Sequence, residues 1–405
     1  MDATNKLELF ATQMHLEPAE DTDAQPIPLS IRPQEQPAGA VLPCGQVSPR
    51  ANVQAKRDSL GITRAVMPGG KTIPLLKTLM TSACERNCFY CPFRAGRNYR
   101  RATFKPEEMA GVFMEMYRAG MVEGLFLSSG IIRGSVTTQD KIIATADILR
   151  NKLGFRGYVH LKIMPGSERD QVRRSMELAS RVSVNLEGPN DKRLQLLAPK
   201  KVFLEELLQP LKWVEEIRRE EQPRGSWNGR WPSSTTQFVV GAVGESDLEL
   251  LTTSAYLYRQ AHLSRTYFMA FRPVPDTPLE NQPGENPWRQ HRLYQASFLL
   301  RDYGFDLEDM PFEQNGHLPL ERDPKLAWAQ ANLAEAPVEV NRADREELMR
   351  VPGIGAKGVT AILAFRRYKR LRYLSDLKAI GVNGTRPAPF VLLDGRRPSY
   401  QLHLF

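Results

Sequence analysis

From residue 70 to about 285 the chain alternates short apolar runs with segments whose apolar positions recur every three or four residues. The runs IPLLKTLMT (73–81), GLFLSS (124–129), GYVHLKIM (157–164), RVSVNLE (181–187), TTQFVVGA (235–242) and RTYFMAF (265–271) read as strands. Between them, the segment after Pro106 sets Met109, Val112, Phe113 and Met116 on one helical face, and Gly120 stops it. A second segment, 139–153, aligns Ile142, Ala146, Leu149 and Leu153. Helices also fit 168–180, 201–221 and 246–262. Strands alternating with helices imply a parallel sheet with right-handed crossovers. The expected fold is α/β, a partial (β/α)6 TIM-like barrel, with its chemistry at the C-terminal strand ends.

The flanks differ. Residues 1–57 are rich in Pro, Glu, Gln and Asp, bury little apolar surface, and are expected to form a loosely structured N-terminal arm. The barrel is expected over 58–285, a helical connector over 286–335, and a compact all-α unit with a basic tail over 336–405.

Composition narrows the class. Of 405 residues, 41% are hydrophobic and 25% charged, the mixture of a soluble globular protein. No apolar run approaches the roughly 20 residues of a membrane-spanning helix. The start, MDATNKLELF, lacks the pattern of a secretory signal. A cytoplasmic protein is expected. The net charge of +9 suits a nucleic-acid partner without demanding one. Four cysteines are too few for a disulfide scaffold in a chain of this length.

Three of them, Cys84, Cys88 and Cys91, fall within eight residues directly after the first of the six strands. From one loop, three thiolates can converge on a [4Fe–4S] cluster and leave one iron open to an outside ligand. A zinc site completed by Cys44 or a His is the other reading of the same residues. The sequence Cys84-Glu-Arg-Asn-Cys88-Phe-Tyr-Cys91, with Tyr90 before the last cysteine, resembles the cluster motif of the radical S-adenosylmethionine (SAM) superfamily. The resemblance implies a [4Fe–4S] cluster held by Cys84, Cys88 and Cys91, with SAM on the open iron. It also implies reductive cleavage of that cofactor to a 5′-deoxyadenosyl radical.

Further cofactor contacts follow the resemblance. Ser128, Ser129 and Gly130 stand where the family places a Gly-Gly-Glu turn, with serines in place of the glycines and no Glu after. A plain strand-ending turn would read the same way. Alternation puts Asn185 and Glu187 on one face, suited to ribose or carboxylate contacts, or to a solvated edge. The segment containing Gly241 and Val243 resembles the adenine-contacting stretch. His160 and Lys162 share a strand face near the barrel mouth, His160 as a satisfied core residue and Lys162 as a cofactor contact.

In the C-terminal region, Val351-Pro352-Gly353-Ile354-Gly355-Ala356-Lys357 joins two predicted helices, 344–350 and about 356–368. Gly353 and Gly355 permit a tight turn, Ile354 can plug the gap between helices, and backbone N–H groups with Lys357 form a phosphate site. Protein docking is the other use of such a hairpin. The stretch resembles the helix-hairpin-helix motif of DNA repair and recombination proteins, which grips phosphates without reading bases. LSDLKAIGV (374–382) resembles a partial second hairpin. Near the cysteines, Arg94, Arg97, Arg100 and Arg101 interleave with Phe93, Tyr99 and Phe104, which suits a nucleotide strand or an ordinary surface loop.

Together the two halves resemble radical SAM proteins with a C-terminal helix-hairpin-helix, associated with DNA modification or repair. That implies a single-stranded or flipped DNA nucleotide as substrate, an electron donor such as flavodoxin or ferredoxin, and a uracil-DNA-glycosylase-like partner. Cys44 or a tyrosine is a candidate for returning a hydrogen atom. A tRNA-modifying enzyme and a non-catalytic redox-sensing DNA-binding protein are the alternatives. The first of these is disfavoured for methylthiolation by the lack of a second cysteine set.

Overall fold

The computed structural model describes residues 1–14, 60–66 and 70–399. They divide into two compact units, Met1–Val243 with Ala261–Gly284, and Gly244–Gln260 with Glu285–Phe405.

The first unit is built on one seven-stranded sheet whose spatial order is its sequence order. Strand β1 (Ile62–Val66) runs antiparallel to β2 (Thr72–Leu79). From β2 onward, β3 (Gly124–Ser128), β4 (Tyr158–Lys162), β5 (Arg181–Ser183), β6 (Ser233–Val240) and β7 (Arg265–Ala270) add in parallel. The six parallel strands fall on the six apolar runs, because strands covered on both faces read as near-continuous apolar stretches. β1 was not legible this way: ITRAV is an edge strand with alternate residues open to solvent.

Each parallel step crosses through helix. Helix α2 (Pro106–Arg118) joins β2 to β3; its first turn holds Pro106, Glu107 and Glu108, which suit a helix N-terminus. Helix α3 (Ser135–Asp147) continues through one π turn, Ile148–Lys152, before β4. Helix α4 (Arg169–Leu178) leads into β5. Between β5 and β6 lie α5 (Asp191–Leu197), a π turn at Phe203–Leu208 and α6 (Gln209–Glu220).

β5 ends at Ser183, short of the predicted 187. Beyond it the Thr236 hydroxyl enters the ladder, donating to the Val184 carbonyl (2.7 Å) and accepting from Leu186 N–H (3.2 Å). The strands rejoin at a single bridge between Glu187 and Phe238. Glu187 there takes a left-handed backbone, φ +64°, a strained choice for a residue with a side chain.

The first residues of the expected loose arm form helix α1 (Ala3–Met14) instead. Leu7, Phe10 and Ala11, spaced three and four apart, are buried. Phe10 meets Phe104 edge to face at 5.7 Å, and Lys6 pairs with Glu108 at 2.6 Å at the start of α2. Burying Leu7 and Phe10 contributes about 1.5–3 kcal/mol each, which outweighs the polar composition downstream. The remainder of the arm, with Cys44, lies outside the described residues.

The second unit is largely helical: α7 (Asp247–Gln260), α8 (Pro287–Asp302), α9 (Pro324–Asn332), α10 (Arg345–Arg350), α11 (Ala356–Phe365) and α12 (Leu374–Ala379). A two-residue parallel pair, β8 (Val338–Glu339) with β9 (Val391–Leu392), closes it. Arg289 ties its segments: buried, it donates to Asp247 (2.7 Å), Glu285 (2.5 Å) and the Glu245 carbonyl (2.6 Å). The other Asp247 oxygen accepts from Leu318 N–H, 2.9 Å. Val340, Leu348, Val351, Ile354, Val359, Ile362 and Leu371 share one apolar core. Among the described residues no α-helix follows α12; Gly381 turns the chain toward a 3-10 turn at Ala388–Phe390 and then β9. The expected second hairpin is therefore a single helix and a loop. No helix among the described residues is long and apolar enough to cross a membrane.

Candidate active site

The loop between β2 and α2 carries the cysteines at the C-terminal end of β2, where a parallel sheet presents its loops. It is held on two sides. Glu85 N–H donates to the Ile131 carbonyl beyond β3 (2.8 Å), and Phe89 N–H to the Leu197 carbonyl at the end of α5 (2.7 Å). Arg86 pairs with Glu206 at 2.6 Å and also donates to the Lys200 carbonyl. Cys88 is buried; Cys84 and Cys91 are half-buried. Ile131 N–H points at Cys84 Sγ, 3.4 Å away, a weak donor to a thiolate.

All three cysteines line one pocket, together with Tyr90, Ser128, Ser129, Gly130, Lys162, Asn185 and Glu187. Gly241 and Val243 are not among its lining residues; the Val243 carbonyl accepts from Arg193 at 2.9 Å. The turn after β3 is packed tightly. Gly130 N–H donates to the Thr81 carbonyl (2.8 Å), and a Cβ on Gly130 would stand 2.3 Å from the Ala83 carbonyl oxygen. Only glycine fits there, one residue from the Ser129 hydroxyl, which donates to the Gly130 carbonyl at 2.6 Å. Lys162 Nζ donates to Asn185 Oδ1 and sits 5.6 Å from the Phe126 ring centre. His160, two residues earlier, is fully buried, 2.9 Å from Ser183 Oγ and against Phe126 (4.4 Å between ring centres): a core histidine below the pocket.

Sequence reasoning missed Lys201. It lines the same pocket, buried, and donates to Glu187 Oε1 at 3.1 Å. Burial opposes its charge, but Cys88, Glu187 and Cys91 more than offset this and raise its pKa. The other Glu187 oxygen, Oε2, is buried with no hydrogen-bond partner among the described residues. In PKKVF, Lys201 reads as a solvated charge beside Lys200; nothing local marks it as buried.

These residues fit an iron–sulfur cluster with a polar ligand beside it. Three soft thiolate donors share a pocket with a fixed ammonium and an orphaned carboxylate oxygen able to accept hydroxyl or ammonium hydrogens. Among the described residues no three His, Cys, Asp or Glu side chains close on the spacing of a single metal ion. A cubane asks for a wider set, since each thiolate takes a different iron.

The basic run beside the cysteines is folded inward. Arg101 donates to the carbonyls of Ser82 (3.0 Å), Phe93 (3.2 Å), Arg94 (2.9 Å) and Arg97 (3.1 Å) and stacks on Tyr99. Arg97 donates to the Pro275 and Pro92 carbonyls and to Gln13. Phe93 and Phe104 are buried, so neither offers a face to a base. Tyr99 donates to the Ser82 carbonyl, and burial pushes its phenol up to about 12. Of the four candidate arginines, Arg94 is half-buried against Phe89 and Arg100 alone is exposed. Arg97 and Arg101 of the expected strip thus brace the cysteine loop from within, while Arg100 stays at the surface.

In the second unit, α10 and α11 are joined by the turn 351–355. Asp344 caps α10, accepting from Glu347 N–H at 2.8 Å. Gly353 is exposed with φ +83°, and a Cβ there would come 2.8 Å from Arg386 Cβ. Ile354 is buried in the core, and its carbonyl accepts from the buried Lys325 ammonium at 2.7 Å. Gly355 begins α11 with no side-chain cap, which leaves the first-turn N–H groups beside exposed Lys357.

Residues 78–247 match the model of the Radical SAM superfamily. That stretch holds the cysteine pocket, and the pocket's residues fit the cofactors of that superfamily, a [4Fe–4S] cluster and SAM. Members of the superfamily are enzymes. No curated protein matches the chain. Among solved structures, the FeFe-hydrogenase maturase HydG from Carboxydothermus hydrogenoformans is similar at 14% identity, over 56% of this chain and 51% of that one, with TM-score 0.44. Methylornithine synthase (PylB) is similar at 12%, over 56% and 61%, with TM-score 0.45. A radical S-adenosylmethionine methyltransferase, TsrM, from Kitasatospora setae is similar at 12%, over 54% and 39%, with TM-score 0.37. The chain spans between about two fifths and three fifths of the length of these proteins.

Proposed function

We propose that this chain is a radical SAM enzyme acting on DNA, for modification or repair. The reading is carried by one conjunction: a three-cysteine pocket in a radical SAM domain, in a chain whose other unit bears an uncapped, glycine-turned hairpin.

Cys84, Cys88 and Cys91 would hold the cluster. With SAM beside it, a cluster held by these cysteines would supply one-electron reductive cleavage of the cofactor and, through it, hydrogen-atom removal from substrate. The chain's own residues set the conditions. Lys201 places a positive charge by Cys88 and Cys91, and Ile131 N–H donates toward Cys84 Sγ. Glu187 Oε2, Asn185 and Lys162 supply polar contacts in the same pocket. Leu79, Ile131, Ile163 and Met164, all buried, exclude water and stray hydrogen donors. The first-turn N–H groups of α11, with Lys357, would hold a DNA phosphate, and the substrate base is taken unpaired. Flavodoxin or ferredoxin would supply the electron, and a uracil-DNA-glycosylase-like protein is a candidate partner.

The test is anaerobic. Reconstituted protein with dithionite and SAM should release 5′-deoxyadenosine, and added DNA should yield a nucleoside of altered mass. Altered nucleosides from RNA and none from DNA would overturn the substrate; no deoxyadenosine under any condition would overturn the enzyme.

A further inference from the structure

We infer that the loop between α11 and α12 is a stacking platform for unpaired DNA, distinct from the hairpin turn. Residues 366–373, Arg-Arg-Tyr-Lys-Arg-Leu-Arg-Tyr, hold five cations and no acid. Two tyrosines stand in solvent there: Tyr368 is 92% exposed and Tyr373 68%. Tyrosine usually buries its ring, so two large aromatic faces left open within six residues are a poor use of apolar surface in a free protein.

The loop is also fixed, not frayed. Leu371, at its centre, is fully buried in the core of the second unit. Asn341 clamps that residue from both sides, accepting from Leu371 N–H and donating to its carbonyl, each at 2.9 Å. Asp376 accepts from the N–H groups of Arg372 (2.9 Å) and Tyr373 (3.0 Å). Arg366 turns inward to the Val340 and Ala343 carbonyls. The backbone is pinned at both ends and in the middle while the rings point away from it.

The charges favour a polyanion over a protein or a lipid surface. Asp394 pairs with Arg370 (2.7 Å) and Arg372 (3.3 Å), and Asp376 lies 3.9 Å from Lys369. Two acids therefore face four exposed cations, Arg367, Lys369, Arg370 and Arg372, and the surplus is positive. Apolar anchors for a membrane are missing from the loop, because its one aliphatic residue is the buried Leu371. Aromatic faces set among cations match a single strand, whose bases stack while its phosphates are neutralised; a duplex keeps its bases in its own stack. The hairpin then grips backbone and the loop takes the unpaired bases, a division of labour suited to an enzyme that needs a base outside a helix.

This inference rests on the reading of the chain as a DNA enzyme, and the test separates the two. Full-length protein is titrated into labelled oligothymidylate and into the same strand paired with oligodeoxyadenylate, by fluorescence anisotropy. Changing Tyr368→Ala or Tyr373→Ala should weaken single-strand binding about fivefold or more for each residue, the lower end of what base stacking contributes. Tyr368→Phe and Tyr373→Phe should retain the affinity, and duplex binding should stay within twofold in every variant. Quenching of tyrosine fluorescence by the single strand should fall in the alanine variants. Equal losses for both DNA forms, or none, would overturn the stacking loop and leave the DNA enzyme standing. A wild-type protein that binds neither DNA form would overturn both.

Discussion

Lys201 Nζ lies 3.1 Å from Glu187 Oε1 inside the cysteine pocket, and both side chains are almost wholly buried. The lysine comes from the turn after α5 and the glutamate from the strained backbone just past β5, so the pair fastens the two ends of one stretch of the β5-to-β6 crossover beside the cysteines. Removing one partner of a buried pair leaves the other uncompensated. Lys201→Met is expected to cost about 3–5 kcal/mol of stability in urea denaturation. The double variant Lys201→Met with Glu187→Gln should recover much of that, because no lone charge remains. Equal losses in single and double variants would refute the coupling.

Cluster assembly should depend on each cysteine. Anaerobic reconstitution should give roughly four irons per chain. Cys88→Ala should lose most of that iron and all SAM cleavage, measured by iron content and deoxyadenosine release. Zinc retained in place of iron by wild-type protein would contradict the assignment.

Gly130 should tolerate no side chain. Its Cβ would meet the Ala83 carbonyl oxygen at 2.3 Å, and backbone cannot step aside as a flexible side chain can. Gly130→Ala is expected to cost about 1–3 kcal/mol or more. It should also lower iron incorporation, because the displaced backbone belongs to the segment that leads into Cys84.

Gly353→Val should weaken DNA binding while SAM cleavage without DNA persists. The turn needs φ +83°, and Arg386 and Pro387 occupy the space a side chain would take. Wild-type binding should fall steeply with salt if phosphates carry it. Unchanged affinity in the variant would remove the hairpin from the interface.

Lys325 gives a pH signature. Burial lowers its pKa from 10.5 to about 7; Asp323 opposes that shift and Arg386 adds to it, and Tyr303 presents its ring at 4.7 Å. Between about 7 and 10.5 the unfolded chain holds this proton and the folded chain does not. The contribution of Lys325 to stability therefore rises with pH across that window and is flat below it. Lys325→Met should flatten the rise, as read from denaturation midpoints at pH 7 and 9.

Much of the sheet was legible because its parallel strands are buried on both faces and their apolar runs stand out. The cysteine loop was legible because three ligands share one short segment. What escaped depended on distant partners. Lys201 looks solvated until β5 brings Glu187 to it. Arg97 and Arg101 look like an open basic strip until the loop curls and offers them its own carbonyls. Helix α1 was obscured by the polar stretch that follows, although Leu7, Phe10 and Ala11 carry the helical spacing. Gly241 and Val243 were placed by resemblance alone, and the pocket is lined without them.

The end of α1 has a practical consequence. Met14 forms part of the cysteine pocket's wall, and Gln13 holds Arg97 at 2.6 Å, so the opening helix is a component of that pocket. An expression plasmid that trims these first fourteen residues as dispensable would yield protein whose cysteine pocket is opened to solvent, and its behaviour would be mistaken for that of the native chain.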